Sequence, residues 1–326
     1  MTQPKMPTST SLSDSGVPET GTPQHVDMLI AEIMDGGSEA AAVHLLSDLN
    51  RAGADGLRER WPTIPESERL FLVQLLAQDA EATIEHNYDR SLLVALDDPL
   101  SDTRLAAIEA LAELESPAFL NLLLTRVERE DDDRVRAAEV AALGRFALLA
   151  ELAEIDDDDR SRIHEILMRV LTADPAADVR RRALESVSYL SNDERISEHI
   201  QRSFDSGDHD MRISAIYAMG RQSSIEWLET VHDELDSAEP DIRYEAVTAA
   251  GMIGSERSVL NVIDLLRDED PEVRMAAIAA LGSIGGRTAI NTLRTLAQDD
   301  SPVIADAADA ALEEAHATDN PFRPIL

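Results

Sequence analysis

A short cassette recurs along this chain, and its spacing constrains the fold more than any other feature. In each copy an apolar residue and an arginine are followed by small residues at helical intervals. It reads Asp-Thr-Arg-Leu-Ala-Ala-Ile-Glu-Ala-Leu from Asp102, Asp-Val-Arg-Arg-Arg-Ala-Leu-Glu-Ser-Val from Asp178, and Glu-Val-Arg-Met-Ala-Ala-Ile-Ala-Ala-Leu from Glu272. The arginines are Arg104, Arg136, Arg180, Arg212, Arg243 and Arg274, so the steps are 32, 44, 32, 31 and 31 residues. A near-constant period of this size is the signature of a stacked helical repeat, in which each unit buries its apolar face only against its neighbours. The fold class is therefore all-α, a helical-repeat solenoid. Such a body offers a long surface and no enclosed pocket by default, which makes binding the first function class to consider.

Columns within the cassette show which face is buried. The position before the arginine holds Thr103, Val135, Val179, Met211, Ile242 and Val273. Four after it stand Ile108, Val140, Leu184, Ile216, Val247 and Ile278, and seven after it Leu111, Leu143, Val187, Met219, Ala250 and Leu281. These positions form one apolar helical stripe. Three after the arginine the residue is alanine in five copies, and Glu139 breaks the column. Gly144, Gly220, Gly251 and Gly282 each stand eight residues after an arginine, an offset that suits either a helix end or a tight helix crossing.

The first helices of the units are predicted at 117–129, 161–171, 193–204, 225–235, 256–267 and 288–297. Asp174-Pro175, Glu239-Pro240, Asp270-Pro271 and Ser301-Pro302 read as helix starts, with a cap followed by a proline whose missing N–H costs nothing in the first turn. The 44-residue step carries about 13 extra residues, read as a longer helix with an acidic loop ending in Asp156 to Asp159. The expected organisation is a disordered tail over 1–24 and a degenerate helical cap over 25–97. A repeat array over 98–316 and a short tail over 317–326 complete it. The cap carries Val26, Leu29, Ile30 and Ile33, then Leu45, Leu46 and Leu49, then 70–76, with Trp61 placed to staple the helix behind Pro62 and Pro65.

Composition narrows the function. The chain has no cysteine, so disulfides, thiolate metal sites and cysteine nucleophiles are excluded, which fits a reducing cytoplasm. No apolar run approaches the length of a membrane span, and the first 24 residues lack the apolar core of a signal peptide. The formal net charge is −35, and Lys5 is the only lysine. Such a surface repels phosphate backbones, so neither nucleic acid nor a membrane is an expected partner. The charge fits either a cationic partner or a general adaptation of surface composition.

The cassette resembles the HEAT-repeat superfamily, and within it the short bacterial units called phycobilisome-lyase-type HEAT repeats. The resemblance covers roughly residues 92–314, with Asp-Pro-Glu-Val-Arg-Met-Ala-Ala-Ile-Ala-Ala-Leu-Gly at 270–282 as its best copy. It implies a superhelix whose cassette helices line the concave side. It also implies a ladder between neighbouring repeats formed by the arginines Arg104, Arg136, Arg180, Arg212, Arg243 and Arg274 with the acids two residues before them, Asp178, Asp210 and Asp241 among them. Arg134 departs from that pattern, and Ala305 replaces the arginine in the last unit.

On that geometry the residues one, five and nine after each arginine face the groove. They are Arg181, Glu185 and Tyr189, then Ile213, Tyr217 and Arg221, then Tyr244, Thr248 and Met252, then Met275. Three of the four tyrosines fall in this set, and Tyr and Arg are the side chains most often found as interface hot spots. The same tyrosines also suit ordinary packing along helix edges. The triple arginine at 180–182 could receive a carboxylate-rich segment or pair with the chain's own acids.

Signs of catalysis are absent from the residues. No His-Glu-x-x-His occurs, and no two histidines stand three or four apart on one helix. HEAT-like deoxyhypusine hydroxylases carry repeated His-Glu pairs, and here only His164-Glu165 has that order. The expected function is a noncatalytic scaffold that binds a protein or peptide in the groove, with no metal and no cofactor. The alternative is an accessory protein, bilin-lyase-like, holding a cofactor on the same repeats.

Overall fold

The computed structural model describes residues 21–34, 43–190 and 193–319. Most of the expected amino-terminal tail and the end of the carboxy-terminal one lie outside them. The described residues contain helices and turns and no strand. The all-α class is therefore as expected, and the chain divides into two compact units, residues 1–111 and 112–326.

The first unit holds α1 (Pro23–Met34), α2 (Arg51–Arg60), α3 (Glu66–Ala82), α4 (Asp89–Ala95) and α5 (Ser101–Ala110), the last being the first cassette helix. Its core is built from Leu29, Leu46, Leu57, Leu72, Leu76 and Ile108. Trp61 is buried, and its indole N–H donates to Asp98 Oδ2 at 2.7 Å. Arg69, also buried, lies with Nε 2.6 Å from the same carboxylate oxygen. Trp61 thus ties the helix behind it to the turn that opens α5.

The second unit alternates first helices and cassette helices. The first helices are α6 (Pro117–Arg126), α8 (Asp157–Ala173), α10 (Glu194–Phe204), α12 (Leu228–Glu234), α14 (Val259–Asp264) and α16 (Gly286–Leu296). The cassette helices are α7 (Asp133–Glu151), α9 (Ala177–Val187), α11 (His209–Gln222), α13 (Pro240–Ile253), α15 (Pro271–Ile284) and α17 (Pro302–Asp319). Each cassette helix packs directly on the next, so the six form one continuous layer. Two first helices are shorter than their apolar pattern suggests, because α12 and α14 are entered through single 3-10 turns at Ile225–Trp227 and Glu256–Ser258.

The stripe read from the columns is the core. All six residues four after the arginine and all six seven after it are buried. The small column is fully buried as well, and Glu139 within it is held by Arg126, whose Nε donates to Glu139 Oε1 at 2.8 Å. A carboxylate is tolerated in an alanine slot because a guanidinium from the preceding helix answers it.

The four glycines sit inside helices rather than at their ends, so the tight crossing is the reason for them. A Cβ on Gly220 would stand 2.8 Å from Ala249 Cα, one on Gly251 3.0 Å from Ala280 Cα, and one on Gly282 2.8 Å from the Ala311 carbonyl oxygen. Gly144 meets Ser186 in the same way. Each contact joins the position eight after one arginine to the position six after the next, where small residues stand throughout. Close approach of successive cassette helices is thus a repeated feature of the layer.

Two sequence expectations change. Asp156 to Asp159 is not an acidic loop: Asp156 caps α8 by accepting from Asp159 N at 2.8 Å, and the other three form its first turn, where the helix dipole favours them. Pro175 does not open a helix either. Helix α9 starts two residues later, with Ala176 at the cap position, because Asp174 stands six before Arg180, in the turn, whereas Glu239 and Asp270 stand four before their arginines.

Candidate functional site

The arginines of the cassette build the frame on which any site must sit. Five of them reach back six residues to a turn carbonyl, with Nη1 donating at 2.8–2.9 Å: Arg104 to Asp98, Arg136 to Glu130, Arg180 to Asp174, Arg243 to Ser237 and Arg274 to Asp268. The turn residue itself folds locally. Asp98, Glu130, Asp174, Ser206, Ser237, Asp268 and Asp299 each accept the backbone N–H two residues on, at 2.8–3.3 Å. A short polar side chain that closes a turn on itself fixes where the following helix begins.

Two of these turns also receive an arginine from the preceding repeat. Arg136 donates through Nε and Nη2 to Asp174 at 2.7 and 3.0 Å, and Arg243 through the same atoms to Asp268 at 2.7 and 2.8 Å. Arg212 instead places Nη2 on both oxygens of Glu234, at 2.6 and 2.8 Å, and its guanidinium over the Phe204 ring. The Arg243 guanidinium holds Asp268 below the usual carboxylate range.

Arg136, Arg212 and Arg243 therefore bridge to the next unit, through acids other than those the family resemblance implies. Asp178 lies 3.6 Å from Arg181 of its own helix, Asp241 bonds His209, and Asp210 forms no rung. The physical reason is reach. Position −2 is already inside the helix, where Asp178 meets its own helix and Asp241 meets His209, whereas position −6 sits in the turn between units. The column Asp, Glu, Asp, Ser, Ser, Asp, Asp at −6 was present in the sequence and marks the turns, two of whose acids, Asp174 and Asp268, receive the preceding arginine.

The predicted groove residues separate into two groups. Arg181, Glu185, Tyr189, Tyr217 and Arg221 come together on α9 and α11 and the turn between α9 and α10. The Tyr189 and Tyr217 hydroxyls lie 3.1 Å apart and share a hydrogen bond, and Arg221 Nε donates to the Tyr217 oxygen at 2.9 Å. The Arg221 guanidinium carbon stands 4.7 Å from the Tyr189 ring centroid and 5.2 Å from that of Tyr217, so one cation is held against two aromatic rings. Burial, and then the bond with Tyr189, push the Tyr217 hydroxyl up to about 12, which keeps it a neutral donor and acceptor.

Around this triad Glu185 is fully engaged. It accepts from Arg182 at 2.7 Å and from Ser214 Oγ at 2.5 Å, and lies 3.5 Å from Arg181. Of the two roles open to the triple arginine, pairing with the chain's own residues is the observed one, since Arg180 serves turn carbonyls and its two neighbours serve Glu185. The remaining predicted positions make no hydrogen bond to the cluster. Ile213, Thr248, Met252 and Met275 are half-buried, Thr248 caps its own helix carbonyl at Tyr244, and Tyr244 is exposed.

Sequence reasoning missed Ser214 and Glu245, both two residues after a cassette arginine. That column reads Ala106, Ala138, Arg182, Ser214, Glu245, Ala276 and Ala307, so only the three central repeats are polar there. Glu245 Oε1 is buried without a hydrogen bond. Burial foremost, and then the nearby Glu185 charge, push its carboxyl up to about 7, against the pull of Arg221.

One further cluster bears on metals. His209, Glu239 and Asp241 are exposed and hold their ligand atoms within 4.8 Å of one another. His209 Nδ1 lies 2.7 Å from Glu239 and Nε2 2.8 Å from Asp241. One ring nitrogen facing each carboxylate is the arrangement of an imidazolium bridging two acids, and accordingly the Asp241 bond raises the His209 pKa. His164 of the single His-Glu pair lies 2.8 Å from Asp193, and Glu165 binds Arg169 of its own helix, so no paired His-Glu set forms.

Residues 228–313 match the sequence profile of the family described as HEAT repeats. This segment carries HEAT repeats. The turn and arginine geometry found in the matched segment, at Asp268 and Arg274, recurs at Asp174 and Arg180 and again at Asp98 and Arg104. Among solved structures the chain resembles YibA of Escherichia coli, at 19% identity over 73% of this chain and 95% of that one, with a TM-score of 0.45. An engineered protein is 17% identical over 89% and 88% of the two chains, with a TM-score of 0.42. Human deoxyhypusine hydroxylase is 17% identical over 90% and 96%, with a TM-score of 0.34. Scores this low carry no information about activity. Among curated proteins no sequence matches the chain.

Proposed function

We propose that this protein is a noncatalytic interaction scaffold whose HEAT repeats bind a protein or peptide on the outward face of α9, α11 and α13. The supporting observation is the Tyr189, Tyr217 and Arg221 cluster. It joins two successive repeats at positions where no other repeat carries an aromatic residue, and it places aromatic and guanidinium groups, the usual anchors of interfaces, in one assembled patch. Tyr244, 42% exposed on the next cassette helix, extends the patch.

The pairing of His164 with Asp193 and of His209 with Glu239 and Asp241 fits this noncatalytic reading. No helix among the described residues is long and apolar enough to cross a membrane. A cytoplasmic location belongs to the same reading, and a chain without cysteine fits a reducing compartment.

The test is recovery of the tagged protein from its native cells beside a variant carrying Tyr189→Ala, Tyr217→Ala and Tyr244→Ala, with circular dichroism to verify that the variant is folded. A partner retained by the wild type and lost from the folded variant is the expected result. Equal retention by both removes the site from this face, and a bound pigment or metal in place of a protein overturns the scaffold reading.

A further inference from the structure

We propose that Arg221 is a preorganised receptor for a single carboxylate, supplied by an Asp or Glu side chain of the bound partner. This deepens the scaffold reading of the same face and rests on it.

Three observations carry it. Arg221 is exposed, and among the described residues no carboxylate pairs with it, although acids outnumber bases 64 to 29 in this chain. Its position is fixed, since Nε is spent on Tyr217 and the guanidinium carbon stands 4.7 and 5.2 Å from the two tyrosine ring centroids. Neither Nη group makes a hydrogen bond among the described residues. A guanidinium whose stem is locked and whose two terminal nitrogens are unengaged loses little freedom on meeting a carboxylate, which it binds through two parallel hydrogen bonds.

The contrast with the other central arginines is direct. Arg181 and Arg182 lie at Glu185, and Arg212 and Arg243 end on Glu234 and Asp268. The chain supplies a directly paired carboxylate to each of these, whereas Arg221 has Glu245 near enough to feel its charge but makes no ion pair with it, and two tyrosines provide the support instead.

Local charge selects the ligand. Glu185 and Glu245 lie beside the cluster within a strongly acidic molecule, so a dianion such as phosphate, or a run of acids, meets repulsion that one carboxylate flanked by neutral residues does not. The tyrosine rings then give the aliphatic part of the partner's acidic side chain an apolar surface.

The four tyrosines make the test simple. Ring resonances of Tyr88, Tyr189, Tyr217 and Tyr244 are followed by NMR in the tyrosine-labelled full chain during titration with N-acetyl-glutamyl amide. N-acetyl-glutaminyl amide and inorganic phosphate are titrated in parallel. The expected result is a saturable shift of Tyr189 and Tyr217 with the glutamyl probe, none with the glutaminyl probe, and weaker saturation by phosphate. Buried Tyr88 stays unmoved and reports that the fold is intact.

Arg221→Lys keeps the charge but loses the fork, and should weaken the glutamyl response at least tenfold. A response equal for the two amides, a stronger response to phosphate, an unchanged response in Arg221→Lys, or no saturable shift each overturns the proposal. If partner recovery still depends on the tyrosines while the probe gives no shift, the interface stands and the carboxylate receptor falls.

Discussion

Arg243 and Arg221 lie on adjacent cassette helices and are held in opposite ways. Arg243 is buried, donates to both oxygens of Asp268 and to the Ser237 carbonyl, and repeats an arrangement found at Arg136. Arg221 is exposed and meets two tyrosine rings, whereas Arg145, which also stands nine after its cassette arginine, pairs with Glu115. The first is fully satisfied within the molecule and serves stacking. The second is oriented and left with donors to spare. In a repeat protein, what recurs is what stacking requires, and what appears once on the outward face is available for a partner.

The comparison is broken most severely at the buried rung. Arg243→Ala strands the Asp268 carboxylate, and such a loss costs about 3–5 kcal/mol; a large fall in melting temperature is expected while partner recovery by the folded protein persists at low temperature. An unchanged melt would show that the rung is not structural. Because Asp268 is held below its ordinary value, the rung's contribution is present above the usual carboxylate range and disappears as pH falls through the depressed folded value.

Glu245 sharpens the same contrast from the site side. Its folded value of about 7 exceeds that of the unfolded chain, so its effect on stability is most favourable below the ordinary carboxylate range and is lost as pH rises through the folded value. Glu245→Gln should remove a fall of about 3 kcal/mol between acid and mildly alkaline pH. Denaturant melts of both proteins across that window would converge in slope if Glu245 were not desolvated.

Smaller effects follow. Gly282→Ala drives a methyl group into the Ala311 backbone and should cost about 1–3 kcal/mol as overpacking, measured by urea unfolding. Arg221→Ala should cost only about 0.5–1 kcal/mol, the worth of an exposed cation–π contact, while abolishing the carboxylate response; a stability loss as large as that of Arg243→Ala would make Arg221 one more structural arginine. The least effect is expected for His209→Gln. The bridge to Glu239 and Asp241 contributes below the ordinary histidine range and fades as pH rises through the raised folded value, so the variant's melting temperature should differ from wild type more at pH 6 than at pH 9.

The sequence by itself determined the repeat class, the register and the buried stripe, because these follow from a period of about 31 residues and from apolar positions three and four apart. Each unit has one way to bury such a stripe, and Ile216, Val247 and Ile278 are interior for that reason. The grouping of Tyr189 with Tyr217 was half legible, since their common offset placed them on one face without showing that they touch.

Only the tertiary structure decided which acid answers which arginine, because those pairs lie 22 to 38 residues apart and form across turns whose geometry no helical period describes. It also decided that the glycines serve helix crossing rather than helix ends, and that Arg181 and Arg182 are consumed internally while Arg221 is not. Pairing between repeats depends on how closely neighbouring helices approach and on which side chain arrives first at a shared carboxylate. Those are properties of the assembled layer and of no single cassette.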